Sequence, residues 1–175
     1  EGFSFVDAVA VRNTPEHIGH GGLRIGEQIA TAVNACRTLA NTPGGDMTPK
    51  KLAAAAKAAV RGTKVKVEVL GRKKMQKLGM GAVLGIAKGS SEEPQFIILE
   101  YWGADSPGTV LKKGAEGPSF KNPLVVLIGK GVTFDTGGLQ IKPGDSMYEM
   151  HMDMSGGAAV IHAVALAAKL KVKAN

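Results

Sequence analysis

Leu124-Val125-Val126-Leu127-Ile128-Gly129-Lys130-Gly131-Val132-Thr133-Phe134-Asp135-Thr136-Gly137-Gly138-Leu139-Gln140-Ile141-Lys142 is the stretch whose reading decides the fold. Its apolar opening, 124–128, reads as a buried central strand. Two lysines and one carboxylate then crowd into a glycine-rich turn. A charged residue just past a buried strand sits at the carboxyl edge of a sheet, where open α/β sheets bind their ligands. Gly129, Gly131, Gly137 and Gly138 permit tight turning and close backbone approach there.

Eleven residues past Lys142 comes a second carboxylate, Asp153, in His151-Met152-Asp153-Met154-Ser155-Gly156-Gly157. The helix expected next opens on the small residues Gly156-Gly157-Ala158-Ala159, so it can pack close to the same strand edge. Asp135 and Asp153 meeting in one pocket would repel each other unless a cation or a shared proton intervenes. Two divalent ions would resolve that repulsion and hold the lysines nearby. Taken singly, each such Lys or Asp is an ordinary surface residue in a salt bridge worth about 0–1 kcal/mol. The ordered set of Lys130, Asp135, Lys142 and Asp153 is what argues for chemistry.

Working outward, strands interleave with helices. Gly2–Val11 alternates like a strand, and residues 13–22 read as a connector with Pro15 and three glycines. Leu23–Leu39 carries Ile25, Ile29, Val33, Cys36 and Leu39 at helical spacing. Asn41–Asp46, with Pro43, Gly44 and Gly45, stops that helix. Thr48 is placed to cap the next one, with Pro49 at its first position, and an Ala-rich run continues to about Val60. Val65–Leu70 is expected as a strand, Arg72–Leu78 as a short helix, Ala82–Ala87 and Phe96–Trp102 as strands, and Ala158–Leu170 as a helix. Residues 105–122, rich in Gly, Lys and Pro, read as an exposed loop or hairpin. The pattern implies an α/β fold, a mixed central sheet flanked by helices.

Composition narrows the class. The 175 residues are 44% apolar, 21% charged and 5% aromatic, as expected of a globular domain whose core is mainly Ala, Val, Ile and Leu. No apolar run approaches the roughly 18 residues of a membrane span, and Glu1 opens a strand-like segment instead of a leader. Cys36 is the one cysteine, so no internal disulfide forms, and it reads as a core residue. The net charge of +7 comes from scattered Lys and Arg without interleaved aromatics, a solvated surface more than a base-stacking one. His17 and His20 read as linker residues. The methionines around Met152 read as packing, since hard carboxylates surround them.

The block Gly-Lys-Gly-Val-Thr-Phe-Asp-Thr-Gly-Gly, the following Lys142 and the Asp153-Met-Ser-Gly-Gly-Ala-Ala run resemble the signature of the M17 leucine aminopeptidases, with Thr136 where that family carries Ser. Leu39–Pro43, Asp46–Pro49, Gly79–Gly81 and Tyr101–Gly103 extend the resemblance over about residues 23–175. It implies a metal-dependent aminopeptidase that removes N-terminal leucine and other apolar residues by two-metal hydrolysis. It implies Lys130, Asp135 and Asp153 as metal ligands, with Lys130 binding as a neutral amine and Asp135 bridging. It implies Lys142 as the catalytic ammonium and Met150 as a substrate-pocket residue. The implied cofactors are two divalent ions, Zn or Mn with Mg or Co as alternatives, and bicarbonate as general base. Peptide substrates, a homohexamer and a cytoplasmic or organellar setting are likewise implied.

One departure matters. The family completes its site with Asp-x-Glu-x-Arg, and these 175 residues contain no such motif. The chain therefore reads as a fragment, with residues 1–20 the end of an N-terminal domain and linker, and 21–175 the first part of the catalytic domain. The remainder of its own polypeptide would be a partner, residues 104–121 an insertion, and the fragment alone inactive. Two other readings exist. Phe134-Asp135-Thr136-Gly137 matches an aspartic protease motif, though no second copy is present. The positive charge would suit a basic DNA-binding module.

Overall fold

The computed structural model describes residues 16–105, 112–114, 117–119, 122 and 124–175. The strand expected over Gly2–Val11 lies outside them. The chain is α/β: six α-helices and two small antiparallel sheets among the described residues.

Helix α1 runs Glu16–Ala40. It takes in residues 16–22, expected as a connector, and with them the backbone of His17 and His20. Three glycines cost a helix about 1 kcal/mol each, and a long helix propagated from its Ala-rich half absorbs that cost. The apolar stripe on α1 is only half used. Cys36 and Leu39 pack against the core, whereas Ile25, Ile29 and Val33 are exposed. Residues 41–46 turn the chain, with Asp46 N–H and Met47 N–H both donating to Pro43 O at 2.9 Å. Helix α2, Pro49–Ala59, then begins as expected: the Thr48 hydroxyl accepts from Lys51 N–H at 3.3 Å, and proline opens the helix.

Strands β1 (Lys66–Leu70) and β2 (Phe96–Glu100) pair antiparallel, Lys66 opposite Glu100 and Leu70 opposite Phe96. Between them lie α3 (Arg72–Lys77) and α4 (Gly81–Ile86), followed by a short 3-10 turn at Ala87–Gly89. The strand expected at Ala82–Ala87 is thus a helix. Its six residues fit both periodicities, a short apolar run being ambiguous, and Gly79 at φ +68° reverses the chain immediately before it. The expected hairpin in 105–122 is present as β3 (Lys112–Gly114) paired with β4 (Gly117–Ser119).

The larger correction concerns 124–128. Among the described residues this run joins no ladder, and Val125 alone has a backbone hydrogen bond, its N–H donating to Asn175 O at 2.9 Å. All five side chains are exposed, Ile128 to 90%. A strand is buried only when neighbours flank it, and among the described residues this run pairs with none beyond the single Val125–Asn175 bond.

Helices α5 (Gly144–Met147) and α6 (Ser155–Lys169) complete the chain, with a 3-10 turn at Met150–Met152 between them. The core forms where α1, α2 and α6 meet: Ala40, Met47, Leu52, Ala56, Met154, Ala158 and Ile161 are buried together, with Ile97 and Leu99 of β2 against them. Small residues on α2 and α6 let these helices approach closely, and that packing holds the start of α6 against Gly129–Gly131.

Candidate metal and catalytic site

The site is built on a close backbone contact. Gly157 N–H in the first turn of α6 donates to Lys130 O at 2.7 Å. A Cβ on Gly129 would lie 2.2 Å from Gly156 O, and one on Gly157 would lie 3.0 Å from Lys130 O. Only glycine fits where this segment and the helix touch at Gly129. The expectation that the small residues opening α6 permit close packing is met in this contact. Its consequence is that Lys130, on the segment after the apolar run, and Asp153, two residues before α6, share one pocket.

The loop between them is folded by its own backbone. Gly137 and Gly138 take φ of +89° and +75°, conformations that disfavour side-chain-bearing residues. Lys142 N–H donates to Thr136 O at 2.9 Å, closing the loop so that its lysine side chain returns toward Asp135. Gly137 N–H donates to Asp135 Oδ1 at 2.9 Å. That bond turns the other carboxylate oxygen, Oδ2, toward the lysines. Phe134 packs beside Gly44, whose added Cβ would meet the ring at 2.5 Å, so the 41–46 turn backs the loop.

All five residues singled out from the sequence converge. Lys130 Nζ lies 2.7 Å from Asp153 Oδ2 and 3.7 Å from Asp135 Oδ2. Lys142 Nζ lies 3.1 Å from Asp135 Oδ2 and 3.0 Å from Met150 Sδ. Two carboxylates are thereby neutralised by two ammonium groups, the arrangement that like charges in one pocket require. The Lys130 ammonium is held above its ordinary pKa, first by the Asp153 carboxylate and then by Asp135, against an opposing desolvation. Asp135 is held below the usual carboxylate range, first by the Gly137 N–H and then by Lys142. The orienting role of Thr136 O and Gly137 N–H was not foreseen, because backbone groups carry no residue-type signal.

These side chains bear on whether a cation fits. Asp153 Oδ2 is buried, yet it has no well-directed hydrogen bond. Its close neighbour is the Lys130 ammonium, an ion pair at 2.7 Å. An under-satisfied buried carboxylate oxygen beside a second carboxylate and an amine is a donor set that suits a divalent cation. The set is nonetheless short: among the described residues no three His, Cys, Asp or Glu side chains are grouped to hold a metal ion. What is present fits part of one coordination shell and cannot by itself fill two.

The description "Cytosol aminopeptidase family, catalytic domain" matches residues 34–175. A probable cytosol aminopeptidase of Cupriavidus metallidurans is 43% identical over 150 residues, covering 86% of this chain and 27% of that protein. One from Paraburkholderia phymatum is 39% identical over 160 residues, covering 91% and 29%. Among solved structures, the bottromycin maturation enzyme BotP in complex with Mn superposes with a TM-score of 0.74 at 30% identity, over 92% of this chain and 31% of that one. Cytosol aminopeptidase from Coxiella burnetii superposes at 0.73 and 28% identity, over 87% and 30%. The chain thus spans under a third of the length of these relatives.

Proposed function

From the premise that this chain belongs to the cytosol aminopeptidase family, we propose that it forms part of a metal-dependent aminopeptidase releasing N-terminal leucine and other apolar residues. The observation that carries the proposal is the convergence of Lys130, Asp135, Lys142 and Asp153 on one pocket. The Mn named in the BotP structure adds support for a metal.

In this reading Lys130, Asp135 and Asp153 hold the cations, Zn or Mn with Mg or Co as alternatives. The chemistry that bound divalent ions supply is polarisation of a carbonyl and acidification of water. Asp135 would be one of the groups that hold a cation, with Gly137 N–H fixing one of its oxygens and the other free to turn toward the pocket. Lys130 would bind as a free amine, so it must lose a proton that its two carboxylate neighbours help it keep. Metal uptake is therefore coupled to proton release and weakens in acid. Lys142, reaching from the closed loop, would donate to the oxyanion that develops as the peptide bond is attacked. Met150, against Lys142, would line the pocket for the first side chain of the substrate.

The rest of the apparatus belongs to the longer polypeptide: the remaining ligands, and bicarbonate as general base. Residues 21–175 would be the first part of its catalytic domain and residues 1–20 the end of a preceding one. The assembled protein would be a cytoplasmic homohexamer, and the 175 residues alone would bind metal poorly and show no turnover.

The test is leucine-amide hydrolysis by the gene-encoded polypeptide, with metal content measured beside kcat for two variants. Chelation should abolish turnover. Lys130→Ala should lose metal. Lys142→Ala should keep it while kcat falls by roughly 10²–10³, the value of one oxyanion donor. Turnover indifferent to metal removal would reject the activity, and the opposite metal contents would reject the two lysine roles.

A further inference from the structure

One short stretch of chain bears on the pocket without contributing a side chain to it. Residues 43–52 take in most of the turn after α1, the Thr48 cap and the start of α2. Gly44 stands against the Phe134 ring: a Cβ built on it would meet Cδ2 at 2.5 Å and Cε2 at 3.1 Å. Phe134 immediately precedes Asp135. Leu52 stands against Gly131, whose added Cβ would lie 3.5 Å from Leu52 Cδ2, and Gly131 immediately follows Lys130. Met47 is buried in the same cluster as Met154, the residue after Asp153. The stretch therefore bears on the chain neighbour of Lys130, of Asp135 and of Asp153.

The stretch is firmly held itself. Pro43 O accepts from both Asp46 N–H and Met47 N–H at 2.9 Å, and Leu52 N–H donates to Thr48 O at 2.9 Å. Met47 and Leu52 are buried. Close packing of this kind passes a displacement on instead of absorbing it.

We propose, on the reading of this pocket as a cation site, that residues 43–52 form a positioning bracket and that the Gly44–Phe134 contact sets where Asp135 stands relative to Lys130 and Asp153. Lys130 and Asp153 have their own tie, the 2.7 Å bond from Gly157 N–H to Lys130 O. The loop that carries Asp135 depends on the bracket more. Its hydrogen bonds from Lys142 N–H to Thr136 O and from Gly137 N–H to Asp135 Oδ1 lie within the loop, so they fix its shape and not its place. The contacts of Lys142 with Met150 and of Lys130 with Asp135 end on flexible lysine side chains. The Phe134 ring, by contrast, rests on backbone. Gly44 has no positive φ, so glycine is required there by space alone. A methyl group at position 44 would either turn the ring out toward solvent or push residue 134 away. Both release Asp135 from its backing. Groups that orient a ligand without touching the metal are worth about 10–100-fold in affinity.

The test measures Mn(II) affinity of the gene-encoded polypeptide by titration calorimetry. Gly44→Ala should weaken binding about 10–100-fold. Phe134→Ala removes the ring instead of crowding it and should do the same, which settles the matter should Gly44→Ala not fold. Gly45→Ala, whose Cβ would meet nothing within 4 Å, should bind like wild type. The decisive arm repeats both substitutions on an Asp135→Ala background. A bracket that acts through Asp135 has nothing left to position there, so neither should weaken binding further, whereas a merely structural contact would add its full loss. Wild-type affinity in both single variants, equal loss from Gly45→Ala, or full additivity with Asp135→Ala would each overturn the proposal and leave the cation site standing. Asp135→Ala binding Mn(II) as tightly as wild type would reject Asp135 as a ligand, and the proposal with it.

Discussion

Replacing Gly129 by alanine tests whether the contact between the Gly129–Gly131 segment and α6 sets the site. The added Cβ would lie 2.2 Å from Gly156 O, 2.5 Å from Gly156 C and 2.8 Å from Gly157 N, all backbone atoms that cannot rotate away. Carbon and carbonyl oxygen approach to no less than roughly 3.3 Å, so the two segments must part by about 1 Å. Overpacking of this kind costs about 1–3 kcal/mol. The 2.7 Å bond from Gly157 N–H to Lys130 O would stretch beyond bonding, for about 1 kcal/mol more. The expected loss is thus about 2–4 kcal/mol, read by urea unfolding of the 175-residue chain. In the gene-encoded polypeptide, leucine-amide turnover should fall on the order of 100-fold, because Lys130 and Asp153 move apart by the same ångström. Gly131→Ala is the control. Its Cβ would meet only Leu52 Cδ2, at an ordinary 3.5 Å, and its φ is not positive, so stability should stay near wild type. A Gly129→Ala protein as stable as wild type, or equal damage from Gly131→Ala, would refute the reasoning.

Two further outcomes concern stability. The His162 imidazole is held below its ordinary pKa, chiefly by burial in α6 and secondarily by Lys169. The folded state therefore binds fewer protons than the unfolded one, so stability should be full above pH of about 6.5 and decline as pH falls through it. Unfolding curves across that window should flatten in His162→Gln, and an unchanged slope would show that another group governs it. Thr48→Ala removes the cap on α2; the 3.3 Å bond is long, so the cost should sit near the low end of about 0.5–2 kcal/mol. Thermal unfolding should record a drop of about 2–4 °C per kcal/mol.

Much of the site was legible before any coordinates. Lys130, Asp135, Lys142, Met150 and Asp153 stand at spacings that a strand, a glycine turn and a helix start bring together, and the structure does bring them together. Short-range signals were read correctly for the same reason. Thr48-Pro49 carries its own capping chemistry, and the Pro43–Gly45 turn needs no distant partner. Elements whose state depends on distant neighbours were misread. Ala82–Ala87 suited either period and became helix α4 through its setting.

The apolar run 124–128 shows the limit most clearly. Its composition suggested a buried strand, and among the described residues the run joins no ladder and is exposed. Whether it is buried was never a local property, because a strand's hydrogen bonds and both its faces are completed by other segments. The sequence alone singled out the residues that the fold brings together. Only the tertiary structure decided that α6 presses against Gly129 and that Asp135 turns one oxygen to the lysines. It alone showed that the run leading to Lys130 lies exposed, because completing a strand takes neighbours that its own residues cannot supply.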